Sequence, residues 1–345
     1  MKRIKKIIAC MVMMSLVFTL AGCSKEKANT RVKEEMEEMT QEEDKGESSD
    51  ENMFDDEEIE EDENQKQYYQ EWGVDIDSPE HEITMQGDIL EIPVTFSCVN
   101  TDMNSGFLVC LDGVIQKYSI DEESEKKYLC EFHCNDGEEK KMSLKLTPEF
   151  IKNGEDHELL ICTVYEPGYR LEDETRSYGN YFHFSPIDAW TVHKDVQTEE
   201  IEASEESIAK NVPIDKDIFS LYIHKNADGT ERNQLENQFV SIFMQDNQET
   251  DIIDAKKDFQ IVFAGGESQL YKVCVFVNNE IQPAFDGEEY AYVKTDGTTM
   301  ATLDVSLAHL DFDNLSPMYV LYIPVEAGEE NVLDGSKCVS VRMGD

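Results

Sequence analysis

The stretch MSLKLTPEFIKNGEDHELLICTVYEPG (142–168) lies without a gap on ATLDVSLAHLDFDNLSPMYVLYIPVEA (301–327). Leu144 meets Leu303, Leu146 meets Val305, Thr147 meets Ser306, Ile151 meets Leu310 and Val164 meets Ile323. Upstream, VCLDGVIQ (109–116) matches VFVNNEIQ (275–282), so that Asp112-Gly113 and Asn278-Asn279 fall at the same place. Such residue pairs favour the positive φ angles of a tight hairpin turn. The chain therefore carries an internal repeat built around hairpins. Two copies are too few for a solenoid or propeller, in which at least three units share one core. Each copy spans about 110–130 residues, enough to close its own β-sandwich.

Around these anchors the texture is uniform from Tyr68 onward. Short apolar runs such as Ile89–Phe96, Phe107–Leu111, Lys141–Leu146 and Leu159–Tyr165 are broken by Gly, Asp and Asn. The second copy repeats the theme in Phe259–Phe263, Lys272–Val277, Thr302–Leu307 and Met318–Ile323. Runs of this length, rich in Val, Ile, Phe and Tyr, read as antiparallel strands, and no long helical period interrupts them. The fold class expected is all-β, with sandwich 1 over 71–195 and sandwich 2 over 215–345. The acidic stretch 196–214 between them reads as a linker.

Composition narrows the function. Lys and Arg number 30 against 75 Asp and Glu, a net charge of −45. A chain this acidic repels a phosphate backbone, which argues against nucleic-acid binding. Hydrophobic residues at 40% supply packed cores and argue against wholesale disorder. Past residue 22 no apolar run approaches the ~20 residues of a membrane-spanning helix.

The first residues have a different character. Lys2, Arg3, Lys5 and Lys6 make a basic start, Ile7 to Leu20 an apolar run, and Ala21 and Gly22 precede Cys23. This is the layout of a secretory signal. Leu20-Ala21-Gly22-Cys23 resembles the lipobox of bacterial lipoproteins. The resemblance implies cleavage before Cys23, a signal peptide of 1–22 and a diacylglyceryl group on the Cys23 thiol. It places the mature protein on the outer face of the bacterial cytoplasmic membrane, held by acyl chains. Loss of the four basic residues leaves a charge of −49. Residues 23–70 then read as a tether. Between Glu34 and Glu63 stand eighteen Asp and Glu and one basic residue, Lys45. Such a segment cannot bury enough surface to offset its ordering entropy and extends by self-repulsion.

VTFSC (94–98), GFLVCLDG (106–113) and LKLTPEFIKNGEDHELLIC (144–162) resemble strands B, C and E–F of immunoglobulin-like domains. No Trp stands in the strand C candidate, and Leu160 occupies the place of the corner tyrosine, so the looser sandwich architecture is expected. The resemblance puts Cys98 and Cys162 at the B and F positions, where a cross-sheet disulfide is common.

Motifs for catalysis are absent from the sequence: no GxSxG, no Walker loop, no dinucleotide fingerprint and no HExxH among seven scattered His residues. Cys130 and Cys134 on one strand face would stand about 13 Å apart at strand rise, too far for one zinc, and read as core residues. No metal site or cofactor is expected, with calcium as a minor candidate at Asp311-Phe312-Asp313-Asn314 and Asn226-Ala227-Asp228-Gly229. Both lack the full twelve-residue calcium loop.

The distinctive surface candidate follows the F-like strand. Tyr165, Tyr169, Arg170, Arg176, Tyr178 and Tyr181 crowd one loop, whereas its counterpart from Val325 to Lys337 carries no aromatic residue. Tyrosine and arginine supply amphipathic contact area at modest ordering cost. The function expected is a lipid-anchored, non-catalytic binding protein offering this loop to a protein or glycan. The competing expectations are a solute-binding lipoprotein of a transport system, disfavoured by the missing βαβ pattern, and an extracellular enzyme.

Overall fold

Alternation dictates the first elements. In Leu90–Val99 every second residue (Leu90, Ile92, Val94, Phe96, Cys98) is buried, the signature of a strand with one face on a core. The computed structural model describes residues 71–122, 125–179, 181–198, 208–225, 230–236, 238–266, 268–295, 297–325 and 332–343. Among these the chain is built of strands, with no α-helix. Residues 1–70, on which the expected signal peptide, the lipidation site Cys23 and the expected acidic tether fall, lie outside them.

Sandwich 1 begins with β1 (Glu71–Ile76), β2 (Glu82–Thr84), β3 (Leu90–Val99) and β4 (Met103–Leu111). Next come β5 (Val114–Ile115), β6 (Tyr118–Ile120), β7 (Glu131–Cys134) and β8 (Glu139–Leu146). It closes with β9 (Gly154–Tyr165), β10 (Phe184–Pro186) and β11 (Trp190–Val196). Sandwich 2 runs from β12 (Lys210–Pro213), β13 (Ile223–Lys225) and β14 (Glu231–Asn233) to β15 (Phe239–Gln245), β16 (Gln248–Glu249) and β17 (Ile252–Asp254). Its later strands are β18 (Phe259–Gly265), β19 (Gln269–Val277), β20 (Glu280–Gln282) and β21 (Tyr290–Thr295). The last are β22 (Thr299–Val305), β23 (Ser316–Pro324), β24 (Asp334–Gly335) and β25 (Val339–Arg342).

The repeat read from the sequence appears as repeated topology. One sheet of sandwich 1 has the order β2-β11-β9-β4-β5, with β10 on β9 and β7 on β4. Its counterpart has the order β17-β25-β23-β19-β20, with β24 on β23 and β21 on β19. Each begins with a parallel edge pair, β2 on β11 and β17 on β25. The two-residue turns have the backbone their residues favour: φ is 52° and 81° at Asp112 and Gly113, and 54° and 64° at Asn278 and Asn279. The opposing sheets diverge at one edge. In sandwich 1, β8 is flanked by β6, whereas β22 pairs with β12. The stretch 196–214, expected to be only a linker, thus supplies Lys210–Pro213 as a strand of sandwich 2.

Two cores fill the sandwiches. Phe107, Val109, Leu111, Leu159 and Ile161 meet the inward residues of β3 and β8 in the first. Val273, Val275, Val277, Met318, Val320 and Tyr322 meet Phe259, Ile261, Phe263 and Leu303 in the second. The strands β4, β9, β19 and β23 do not stop at one buried face. Leu108, Cys110, Leu160, Cys162 and Val164 on one side, and Cys274, Phe276, Tyr319, Leu321 and Ile323 on the other, join in a third core between the sandwiches. The molecule from β1 to β25 is therefore four sheets deep, with an apolar seam in the middle.

This seam overturns the Cys98–Cys162 bridge. Cys98 points into the core of sandwich 1, while Cys162 points the opposite way, into the seam. Successive side chains of a strand alternate in direction, so the parity of β9 puts Leu159 and Ile161, not Cys162, on the inner face. The two sulfurs are not bonded to each other.

Candidate functional site

The loop after β9 runs from the end of sandwich 1 to the seam and reaches solvent. Its base is closed by backbone: Tyr165 N–H donates to His183 O (3.0 Å) and Phe182 N–H to Tyr165 O (2.8 Å). Glu166, at φ 48°, accepts from the Asn104 amide and side chain at 3.0–3.2 Å and fixes the exit from the strand. Tyr169 N–H donates to Glu166 O (3.1 Å), turning the chain back over the sheet. Gly168 lets the Glu131 carboxylate lie close against the loop, where a Cβ would push that flexible side chain aside.

The six candidate residues part company in the fold. Tyr178 is 1% exposed and sits in the seam with Leu171 and Phe182. Its hydroxyl donates to Leu315 O of sandwich 2 at 3.1 Å. Burial raises its pKa well above the ordinary phenol value, so it acts as a neutral donor. A residue so placed offers nothing to an outside partner, and the expectation of a contact residue at Tyr178 is corrected accordingly. Tyr165, Tyr169 and Tyr181 are half-buried. Their rings form a ladder: Tyr169 on Tyr181 at 3.7 Å and 16°, and Tyr181 on Tyr165 at 6.2 Å and 5°. Tyr169 also meets the edge of Tyr178 at 6.0 Å. Arg170 and Arg176 are exposed. The Arg170 guanidinium folds back on its own loop, donating to Pro167 O and Tyr169 O at 3.1 and 2.8 Å.

From Tyr178 the aromatic run continues inward through Phe182 to Tyr319, which stacks on Phe276 at 5.1 Å and 7°. Phe276 meets Tyr128 edge-on, and Lys117 Nζ lies 4.4 Å over the Tyr128 ring. The second sandwich answers with polar contacts. Asn279 Nδ2 donates to Pro167 O (3.2 Å), and Tyr319 donates to Asn279 Oδ1 (3.3 Å). Lys117 pairs with Glu280 at 3.3 Å and Arg342 with Glu174 at 3.2 Å. Lys272, also at the seam, holds its ammonium 4.1 Å over Tyr290, and burial lowers its pKa.

At the solvent edge of the seam lies a groove of about 410 Å³ lined by Lys127, Glu131, Gly168, Arg170, Asn279 and Glu280, among others. Its walls come from both sandwiches. The groove carries both signs of charge and Asn amides, a surface suited to polar recognition. Three or more His, Cys, Asp or Glu side chains do not converge on a metal position anywhere among the described residues. Asp311, Asp313 and Asn314 are exposed on their turn, and 226–229 lies outside the described residues.

The sequence reading singled out the loop but not the residues it packs on, Leu315, Tyr319, Phe276 and Asn279. A signal was present: LLICTV (159–164) and YVLYI (319–323) are apolar without alternation, as strands covered on both faces are.

No family model and no curated protein matches this chain. Among solved structures it is similar to the CsuC–CsuE chaperone–tip adhesion subunit pre-assembly complex from archaic chaperone-usher Csu pili of Acinetobacter baumannii. That match has 9% identity and a TM-score of 0.18 over 76% of this chain and 95% of that chain. It is also similar to the E. coli chaperone DraB, at 7% identity and a TM-score of 0.22, over 79% of this chain and 98% of that one.

Proposed function

We propose that this chain is an exported, lipid-anchored, non-catalytic binding protein that engages a protein or glycan at the mouth of the inter-sandwich groove. The observation that carries the reading is the half-exposed Tyr169–Tyr181 stack at 3.7 Å beside Arg170 and the groove. Stacked phenol rings present their edges and the outer face of the stack, an amphipathic surface for a sugar ring or an apolar side chain, and their rotamers are already ordered before binding. Groove carboxylates and amides supply the directional hydrogen bonds. The lipobox-like Leu20–Cys23 supports anchoring, since two acyl chains give stable attachment where one is marginal. The acidic tether serves as the spacer that holds the sandwiches away from an anionic membrane surface.

The test is a glycan and protein-partner screen on the mature protein, followed by Tyr181→Ala and Arg170→Ala. Each should weaken binding about fivefold or more while leaving the thermal midpoint within a few degrees. Unchanged affinity with a strongly lowered midpoint would show the stack to be a packed edge of the seam, and the reading would fail.

A further inference from the structure

Seven cysteines are described, and all are buried. Five have evident places as small core groups. Cys110, Cys162, Cys274 and Cys338 lie in the seam, and Cys130 Sγ donates to Tyr118 O at 3.2 Å. Cys98 and Cys134 differ, because they come from opposite sheets of sandwich 1 and meet in the same core. Cys98 is the penultimate residue of β3, and Cys134 ends β7 just before the chain crosses to β8.

That crossing brings them together through one carbonyl. Cys98 N–H donates to Glu138 O at 3.2 Å, and Cys134 Sγ lies 3.6 Å from the same oxygen. The Cys134 sulfur also lies 3.8 Å from Phe96 O, two residues before Cys98 on the same strand. The Cys134 sulfur is thus at most about 7 Å from the Cys98 amide nitrogen, and the two thiols are hydrogen-bond neighbours, the side-chain contact from which a bridge closes. The turn is held rigidly, with Gly137 N–H on Cys98 O at 2.9 Å and Asn135 N–H on the Glu138 carboxylate at 2.8 Å.

We infer that Cys98 and Cys134 are a disulfide site of the exported protein, closing the β7–β8 corner onto β3 and tying the two sheets of sandwich 1 together. The bond encloses a loop of about 36 residues, long enough for constraint of the unfolded chain to matter. It sits where the tether enters the fold, since Trp72 of β1 pairs directly with Cys98. Formation is a thiol–disulfide exchange. The two protein thiols lose two protons and two electrons, and a small-molecule or protein disulfide outside the membrane takes them up and leaves as two thiols. The first thiolate attacks the donor disulfide to give a mixed disulfide and one donor thiol, and the second attacks the protein sulfur of that mixed disulfide, expelling the other donor thiol. In the folded protein burial, with Cys134 as hydrogen-bond neighbour, pushes the Cys98 thiol up to about 12. Exchange therefore belongs to the folding chain, before the corner closes, and the finished bond is shielded from reductant.

The experiment is a disulfide map of the mature protein taken from its native membrane, alkylated in denaturant at lysis and digested without reductant. The expected result is a linked pair of peptides containing Cys98 and Cys134, with five of the seven thiols alkylated. All seven alkylated, or a link from either residue to another cysteine, overturns the inference. The map is read on the unmodified protein, so it does not depend on any variant folding.

Discussion

The Tyr178 hydroxyl, carried by a loop of the first sandwich, donates a 3.1 Å hydrogen bond to the Leu315 carbonyl of the second. A side chain whose type suggested recognition of an outside partner is spent on recognition within the chain. It shares the seam with Phe182 and Tyr319, so the loop works as a clamp on one side and a rim on the other. Tyr178→Phe should cost about 1 kcal/mol, the usual net worth of one buried hydrogen bond. Tyr178→Ala should cost about 3–5 kcal/mol, because it also empties an aromatic site in a packed core. Calorimetry on the two variants checks both values and their order.

Sandwich 1 contains a buried His–Asp hydrogen bond that solvent does not reach. His157 Nδ1 lies 2.6 Å from Asp112 Oδ2, and both residues are fully covered. Nε2 faces Lys194 O at 3.1 Å, and Asp112 Oδ1 accepts from Glu158 N–H at 3.1 Å. Removing the imidazole strands the carboxylate beneath the Asp112-Gly113 turn. His157→Ala should therefore destabilise by about 3 kcal/mol or more, seen as a lowered urea midpoint with an unchanged slope.

His193 sits on the parallel edge pair of β2 and β11. The hydrogen bond to Asp156 at 2.8 Å, and then Glu82 at 3.4 Å, raise its pKa above the ordinary 6.5. A histidine raised in the folded state binds its proton more tightly there than in the unfolded chain. Its stabilisation is complete below about pH 6.5 and is lost as pH climbs through the raised value. His193→Gln should therefore lower the thermal midpoint most at about pH 5–6, and the gap to the parent should narrow above pH 7. An equal gap at every pH would exclude this role.

Anchoring has its own test. Cys23→Ala should abolish fatty-acid labelling and release the protein from the membrane fraction, because the lipobox-like tetrapeptide has one thiol to acylate. Labelling that survives the substitution would place the acyl chain elsewhere or remove it from the account.

Local rules were enough for much of this architecture. Asp112-Gly113 and Asn278-Asn279 are turns because their side chains tolerate positive φ, and the alternation from Leu90 to Cys98 is a strand with one wet face. Both are properties of a few adjacent residues. The gapless match of 142–168 to 301–327 carried the repeat into three dimensions as two sheets of the same strand order. What the tertiary structure alone decided is what each second face meets. Leu160 and Cys162 are outward from one core and inward to another, and the hydrophobic effect that buries them has no direction and no memory of sequence distance. The same is true of Tyr178, whose chemistry suits an interface of either kind, and of Cys98. Its neighbour is Cys134 across a turn between sheets, because strand parity sends Cys162 to the far side. Pattern specifies which residues turn inward together; only packing specifies the surface they turn toward.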